Sequence, residues 1–299
     1  MFQDTKRDKI FSWVNTFLLV AITIAIAYPV YFVVIASISN PTLVNSGQVW
    51  LLPRDLTLDS YEYVWDYEKI WNGYGITIML TLVGTCINLV LTLTSAYALS
   101  KSHLPLIRGI MFLFTFTMFF GGGLIPTYLL VSKYLQLRNT IWAMILPSAV
   151  SAYNMILVRT FYMQSIPGEL MDASKIDGCN DMKAFTRIVL PLSLPIIATM
   201  ALFYAVGHWN QYFDALIYIS DPAKAPLQLV LREILIINEQ LMSAEMGSTV
   251  DPELLAIRIQ LAETMKYAVI VVATIPLLIV YPFVQKWFIK GMLVGSLKG

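Results

Sequence analysis

The chain has 299 residues, of which 58% are hydrophobic and 13% charged. A soluble domain typically carries about 25% charged residues, so a large soluble core is excluded and the membrane class is indicated. The net charge of +1 gives no basis for nucleic-acid binding. Cys86 and Cys179 show neither disulfide nor metal spacing. Cys86 reads as a small core residue and Cys179 as the occupant of a small-residue slot.

At the N-terminus, Lys6-Arg7-Asp8-Lys9 is followed by an apolar run to Ile38. That run exceeds the ~7–15 residues of a signal peptide and lacks a small-x-small cleavage site, so it is predicted to be a retained first span. Six spans are predicted in all, at about 12–38, 75–99, 109–131, 140–162, 192–220 and 267–288. Each reaches the ~20 residues that cross the hydrocarbon as a helix. The expected architecture is a single all-α, polytopic membrane domain over 1–299. Pro29, Pro126, Pro147, Pro195, Pro276 and Pro282 fall within the runs or near their ends and mark kinks or span ends.

Residues 39–74 include Ser60-Tyr61-Glu62-Tyr63-Val64-Trp65-Asp66-Tyr67, suited to an interfacial helix. Within the third span, Gly121-Gly122-Gly123-Leu124-Ile125-Pro126-Thr127 is no phosphate cradle, because no strand precedes it and no Lys-Ser/Thr follows. It permits either close helix approach or local unwinding.

Residues 163–191 form a polar island between spans four and five. It carries Glu169, Asp172, Asp177, Asp181, Lys175, Lys183 and Arg187. A short helix is predicted from Glu169 to Asp181, after the break at Pro167-Gly168. Asp172 and Ala173 let a partner approach closely, and Gly178 allows a sharp reversal. An ordinary amphipathic loop helix is the competing reading.

Span five is the most polar, with Trp209, Asn210, Gln211, Tyr212 and Asp214 in one stretch. Charges at membrane depth are expensive and face a cavity or a partner helix. Two readings stand: a pathway lining in which the rings stack on sugars and the amides bond hydroxyls, or interhelical hydrogen bonding by Asn210 and Gln211. His208 has only His103 as a fellow histidine, so no metal site is expected. Leu227, Val230, Leu231, Ile234 and Leu235 predict an amphipathic helix within 221–266, either a cap on the bundle or a docking surface.

Placing both termini inside puts twelve Lys and Arg in the inside segments and eight in the longer outside ones. The positive-inside rule therefore predicts cytoplasmic termini and a cytoplasmic polar island.

The pattern Ile166-Pro-x-Glu-Leu-x-Asp-Ala-Ser-x-Ile-Asp-Gly-Cys…Phe185-x-x-Ile188-x-Leu-Pro191 resembles the "EAA" loop of permease subunits in bacterial ABC importers. The tail from Tyr281 to Gly299 is similar to the carbohydrate branch of that family, on the maltose-permease MalG side. Gly122-Gly-Leu-Ile-Pro-Thr-Tyr128 resembles the LplC-type subgroup that handles polysaccharide-derived oligosaccharides. The likeness runs over essentially the whole chain. Asp172-Ala173-Ser174 stands where the family has Glu-Ala-Ala, and Cys179 where it has Ala.

The resemblance implies a permease in the cytoplasmic membrane, surrounded by lipid, that imports oligosaccharides by alternating access. The implied partners are a second homologous permease subunit, two ATPase subunits and an extracytoplasmic solute-binding protein. The loop helix, with Glu169, Asp172, Ala173, Ser174, Asp177 and Gly178, would seat in the ATPase. The tail, with Lys290, Gly291 and Gly295, would reach the ATPase dimer interface. No Gly-x-x-x-x-Gly-Lys-Ser/Thr occurs in this sequence, so ATP and Mg are expected on the partner subunits, with no cofactor in this chain and no catalysis by it. A stand-alone secondary transporter or channel is the alternative. It would need an intramembrane carboxylate or histidine relay, for which Asp214 is the one candidate. An intramembrane enzyme lacks any metal cluster or Ser/Lys dyad.

Overall fold

The computed structural model describes residues 6–101, 106–244 and 265–282. Their regular structure is helical, with one isolated antiparallel bridge between Ser39 and Leu56. The chain runs through α1 (Lys6–Ser37), α2 (Pro41–Asn45), α3 (Asp59–Asp66), α4 (Glu68–Ser100), α5 (Ile107–Phe119) and α6 (Leu124–Leu129). It continues with α7 (Trp142–Ile145), α8 (Ala152–Ser165), α9 (Gly168–Ile176), α10 (Asp181–Ala184), α11 (Leu190–Leu192), α12 (Leu194–Trp209), α13 (Phe213–Tyr218) and α14 (Leu227–Ala244). The last is α15 (Met265–Pro282).

Among the described residues, three unbroken helices are long and apolar enough to cross a membrane: α1, α4 and α15. Where the sequence predicts three further continuous spans, the structure has bent pairs. Ile107–Phe119 and Leu124–Tyr134 meet at 112°, Trp142–Ser148 and Ala152–Ser165 at 50°, and Asp181–Leu192 and Leu194–Trp209 at 82°. The first bend falls on the glycine run. Gly123 has φ +84°, and a Cβ at Gly121 or Gly122 would meet nothing within 4 Å. The chain unwinds at these glycines.

The described residues of Met1–Glu68 and Leu231–Ile275 form one compact unit. In it the strand-like return after α1 caps that helix. Ser39 Oγ donates to the Ile35 carbonyl (2.6 Å), the Asn40 N–H to the Arg54 carbonyl (3.2 Å) and the Tyr28 hydroxyl to the Trp50 carbonyl (3.2 Å). Ile35, Ala36, Val44 and Val49 make its core, with Phe32, Leu43 and Tyr267 packed against them. The remaining face of α1 is exposed from Ile10 to Val34, as a lipid-facing or partner-facing helix requires.

The second unit comprises the described residues of Lys69–Val230 and Pro276–Gly299. Its axis is α4, whose buried face carries Ile70, Gly73, Thr77, Leu80, Gly84, Asn88, Thr92, Ala96 and Leu99 at three- and four-residue spacing. Cys86, expected in the core, is exposed on the opposite face. The start of α14 docks on the start of α4. Thr77 Oγ1 accepts the Leu227 N–H (2.8 Å), and Asn72 donates to the Ala223 carbonyl (2.7 Å). A Cβ on Gly73 would lie 3.1 Å from the Leu227 Cα, so this approach needs a glycine. Around the lower half of α4, Leu93, Ala96 and Leu99 pack with Met155, Val158, Tyr162, Phe185, Val189, Met200 and Tyr204.

A smaller knot ties the loop after α6 to the loop after α13. Asn139, at φ +60°, donates its N–H to the Tyr218 carbonyl (2.8 Å). Its side-chain oxygen accepts the N–H groups of Ser220 (3.3 Å) and Asp221 (3.1 Å), and its carbonyl accepts Lys224 Nζ (3.0 Å). Asn139→Ala loses both side-chain bonds and strains the positive φ. It should lower stability by about 2 kcal/mol. Asn139→Gly should lose roughly 1 kcal/mol less, because only the bonds are lost. Thermal unfolding of the two variants in detergent micelles measures the difference.

Candidate functional site

The polar stretch predicted within span five lies at a helix end. α12 stops at Trp209, Asn210 to Tyr212 form a turn, and α13 begins at Phe213. The turn opens a cleft of about 460 Å³ whose wall includes Asn210, Gln211, Tyr212 and Asp214. Trp209 is absent from that wall. It is buried, with its ring 6.1 Å from that of Tyr74 in an edge-on contact. The opposite wall comes from positions not singled out in the sequence: Asn88 on α4, and Ser148, Ser151 and Asn154 where the α7–α8 pair bends. Phe203 and Tyr204 of α12 complete it.

A set of polar contacts centred on His208 forms the floor; a neutral imidazole donates to one of the two amide oxygens it faces. The side-chain amide of Asn88 donates to the carbonyls of Ser148 (2.7 Å) and Ala149 (3.1 Å), the groups freed where the backbone bends. That orientation presents Asn88 Oδ1 to His208 Nε2 at 2.8 Å. On the other side of the ring, Nδ1 lies 3.3 Å from Gln211 Oε1. The Gln211 amide donates to the Met144 carbonyl (2.9 Å) and to Asp214 Oδ2 (2.5 Å). Thr92 and Tyr204 share a hydrogen bond of 2.7 Å, and the Tyr204 hydroxyl accepts the Ser151 N–H (3.4 Å). Gln211 thus makes the interhelical bonds considered for it, while Asn210 turns back to the Val206 carbonyl of its own helix (2.9 Å). The same residues line the cleft, so the two readings of this stretch do not exclude one another.

The polar island resolves into α9, a turn, and α10 running through a π-helical segment (Phe185–Val189) into α11. The predicted helix to Asp181 stops at Ile176, because Gly178 reverses the chain at φ +73°. Asn180 then starts the next helix, its side chain accepting the Lys183 N–H (2.9 Å). Glu169 sits exposed in the first turn of α9, and Asp172 lies 3.5 Å from Lys175. Ala173 is exposed, and its carbonyl accepts the N–H of Asp177, the residue that ends the helix (3.0 Å). Ser174 is buried, donating to the Met171 carbonyl (2.7 Å). Beside these acidic positions Leu170, Ile176 and Met182 are exposed, Ile176 by 86%. An acidic helix with bare apolar side chains is suited to a protein partner. Lys290, Gly291 and Gly295 lie outside the described residues.

The island is fastened to the end of α4. Lys101 pairs with Asp181 and sits 4.5 Å above the Tyr97 ring. Burial alone would lower the Lys101 pKa, but the bonds to Asp181 and Tyr97 and their charges outweigh it and raise it above the ordinary lysine value. The Tyr97 ring packs on Phe185 at 4.9 Å, and Arg159 Nε donates to the Leu99 carbonyl (2.8 Å). Among the described residues no cluster of His, Cys, Asp and Glu could hold a metal ion.

The sequence matches the family described as binding-protein-dependent transport system inner membrane component over residues 6–294. It is 42% identical to Protein LplC of Bacillus subtilis, over 99% of this chain and 97% of that one. It is also 42% identical to the polygalacturonan/rhamnogalacturonan transport system permease protein YtcP of Bacillus subtilis, over 98% of this chain and all of the relative. A chain in the crystal structure of a bacterial ABC transporter involved in the import of the acidic polysaccharide alginate superposes with a TM-score of 0.84 at 32% identity, covering 96% of this chain and 100% of that one.

The network depends on a missing side chain. A Cβ at Gly84 would fall 2.4 Å from His208 Nε2. Gly84→Ala should therefore push the imidazole off Asn88 and destabilise the protein by about 1–3 kcal/mol, as overpacking does. In a His208→Ala background the same substitution should cost markedly less. Thermal melts of the two single variants and the double variant test this coupling.

Proposed function

Because the chain belongs to the binding-protein-dependent transport system inner membrane components, we propose that it forms half of the translocation pore of an ATP-driven oligosaccharide importer. The chain is a multi-pass component of the inner membrane, its work is transport rather than catalysis, and the ATPase is a separate subunit. In the proposed assembly it pairs with a second, homologous permease subunit. Two ATPase subunits hold the ATP and Mg, and an extracytoplasmic solute-binding protein delivers the sugar. The topology that serves this is six spans, each bent pair counting as one, with both termini and the α9 loop in the cytoplasm. The cargoes named for its relatives, polygalacturonan/rhamnogalacturonan and alginate, put fragments of acidic polysaccharides among its substrates.

The observation that carries the reading is the fastening of α9 and its turn. α9 exposes Glu169, Asp172, Ala173 and Ile176 for a partner, while the segment that follows it is held to α4 through Lys101–Asp181 and Tyr97–Phe185. α4 in turn carries Asn88, the residue that braces the cleft. Movement of an ATPase gripping α9 would be delivered to the cleft along one rigid helix, which is the mechanical requirement of alternating access. The Lys290, Gly291 and Gly295 tail would add a second contact with the ATPase pair.

The test is a reconstituted importer with sugar-stimulated ATP hydrolysis and sugar uptake measured together. Gly178→Val, at a positive φ that costs a branched residue about 1–2 kcal/mol or more, should distort the turn and cut uptake at least tenfold while the protein still inserts. Gly178→Asn, which tolerates that conformation, should retain much more coupling. Undiminished uptake by the valine variant would count against the coupling role.

A further inference from the structure

Four amide side chains border the cleft: Asn88, Asn154, Asn210 and Gln211. Three of them are engaged by the protein itself. Asn88 gives its NH₂ group to the carbonyls of Ser148 and Ala149, and its oxygen faces His208 Nε2. Asn210 donates to the Val206 carbonyl. Gln211 donates to the Met144 carbonyl and to Asp214, and its oxygen faces His208 Nδ1. The imidazole and the carboxylate at this end of the cleft are thus both turned to Gln211. Asn154 is different. It sits in the first turn of α8, where its backbone N–H donates to Ser151 Oγ (3.4 Å). Its side-chain amide makes no hydrogen bond to any described residue, although Asn154 is only 8% exposed. The part of it left open lines the cleft. A buried amide without a partner is destabilising, and more so in an apolar helix of a membrane protein.

We propose that Asn154 is a sugar-binding residue of the cleft, its free amide holding ring hydroxyls of the passing oligosaccharide. The inference rests on the oligosaccharide-import reading above and names a contact for it. A primary amide carries two donors and one acceptor, so it can donate to one hydroxyl while accepting from a neighbouring one. Being uncharged, it serves the hydroxyls of acidic and neutral sugar units alike. Tyr212 and Phe213, both partly exposed in the same wall, give apolar area to the C–H face of a ring. The volume of about 460 Å³ is ordinary for a ligand pocket. Asn210 and Gln211, the amides that the sequence places beside the aromatic rings, have their NH₂ groups turned to the protein. The uncommitted amide comes instead from α8, across the bend of the α7–α8 pair.

The experiment follows uptake into proteoliposomes of the complete importer with its binding protein. The probes are trigalacturonate, the same trisaccharide with its carboxyls reduced to alcohols, and derivatives of each that lack one secondary hydroxyl. One binding protein serves every arm, so its own selectivity cancels between variants. The unaltered importer should take up at least one deoxy derivative about tenfold more slowly than its parent, because a site built to bond a hydroxyl is left unpaired without it. Asn154→Leu, similar in size and without polar atoms, should cut uptake of the parent at least about tenfold and bring parent and derivative within about threefold of one another. The sugar-free Leu variant should melt at the same temperature as the unaltered importer or higher, since an unpartnered amide has been removed. A melting temperature several degrees lower would assign the amide to packing and overturn the inference. Undiminished uptake, or discrimination among the probes like that of the unaltered importer, would overturn it too. If the unaltered importer takes up none of the probes, the import reading itself fails and the inference with it.

Discussion

In hydrocarbon a backbone group that leaves its helix ladder must find a partner, because no water will serve. Much of this fold follows from that constraint and from the single helix that answers it. Three of the apolar stretches bend sharply, and each bend frees carbonyls or N–H groups. α4 meets several such groups from one face, at the α7–α8 bend and at the start of α14. Asn88 satisfies Ser148 and Ala149, Thr77 receives the first N–H of α14, and Thr92 reaches Ser151 through Tyr204. Toward its C-terminal end α4 is itself the acceptor, through the Leu99 carbonyl and Arg159. Small residues, Gly73 and Gly84, alternate with these polar ones and let the partners come close enough to bond.

That arrangement joins the cleft to the exposed loop. Asn88 and Leu99 lie eleven positions apart on one uninterrupted helix, about 16 Å at 1.5 Å per residue. At one end sits the hydrogen-bonded floor of the cleft. At the other, Tyr97 and Lys101 hold Phe185 and Asp181 of the segment that follows α9. A helix of this length moves as a rigid body, whereas the bent pairs around it have breaks at which segments can reorient. The unbroken element thus connects the two sites, and the broken ones supply the freedom.

How much of this was legible in the sequence depends on how local each signal is. The turn at Gly178 and the unwinding at Gly121 to Gly123 rest on a few adjacent residues, and the sequence marked both places. The amphipathic stretch from Leu227 also became a helix, with Leu227, Val230, Leu231 and Ile234 buried. The buried face of α4 could not be read in the same way. That helix is apolar all round, so its periodicity does not identify a buried side, and Cys86, a small apolar residue in such a run, reads as core although it is exposed. The cleft was half legible. Asn210 to Asp214 are contiguous, but Asn88, Ser148, Ser151 and Asn154 come from two other stretches and meet only in three dimensions. The signal that could have found them is chemical: Asn88 and Asn154 are solitary amides in apolar runs, and such residues need a specific partner.

His208 shows why the cleft and the packing cannot be separated. Its ring occupies the space that Gly84 leaves empty, so its position is set by steric exclusion as much as by hydrogen bonds. Once seated, it fixes the amide of Asn88 from one side and faces that of Gln211 on the other. Each amide then has its NH₂ group committed to backbone carbonyls or to Asp214. The carboxylate at the rim is therefore oriented by a chain of contacts that begins with an absent methyl group on α4. A displacement of α4 relative to α12 would disturb that chain at the Gly84–His208 contact first. It would reach Asp214 only through Gln211, so helix movement and the polarity offered to a ligand are linked by the same few atoms.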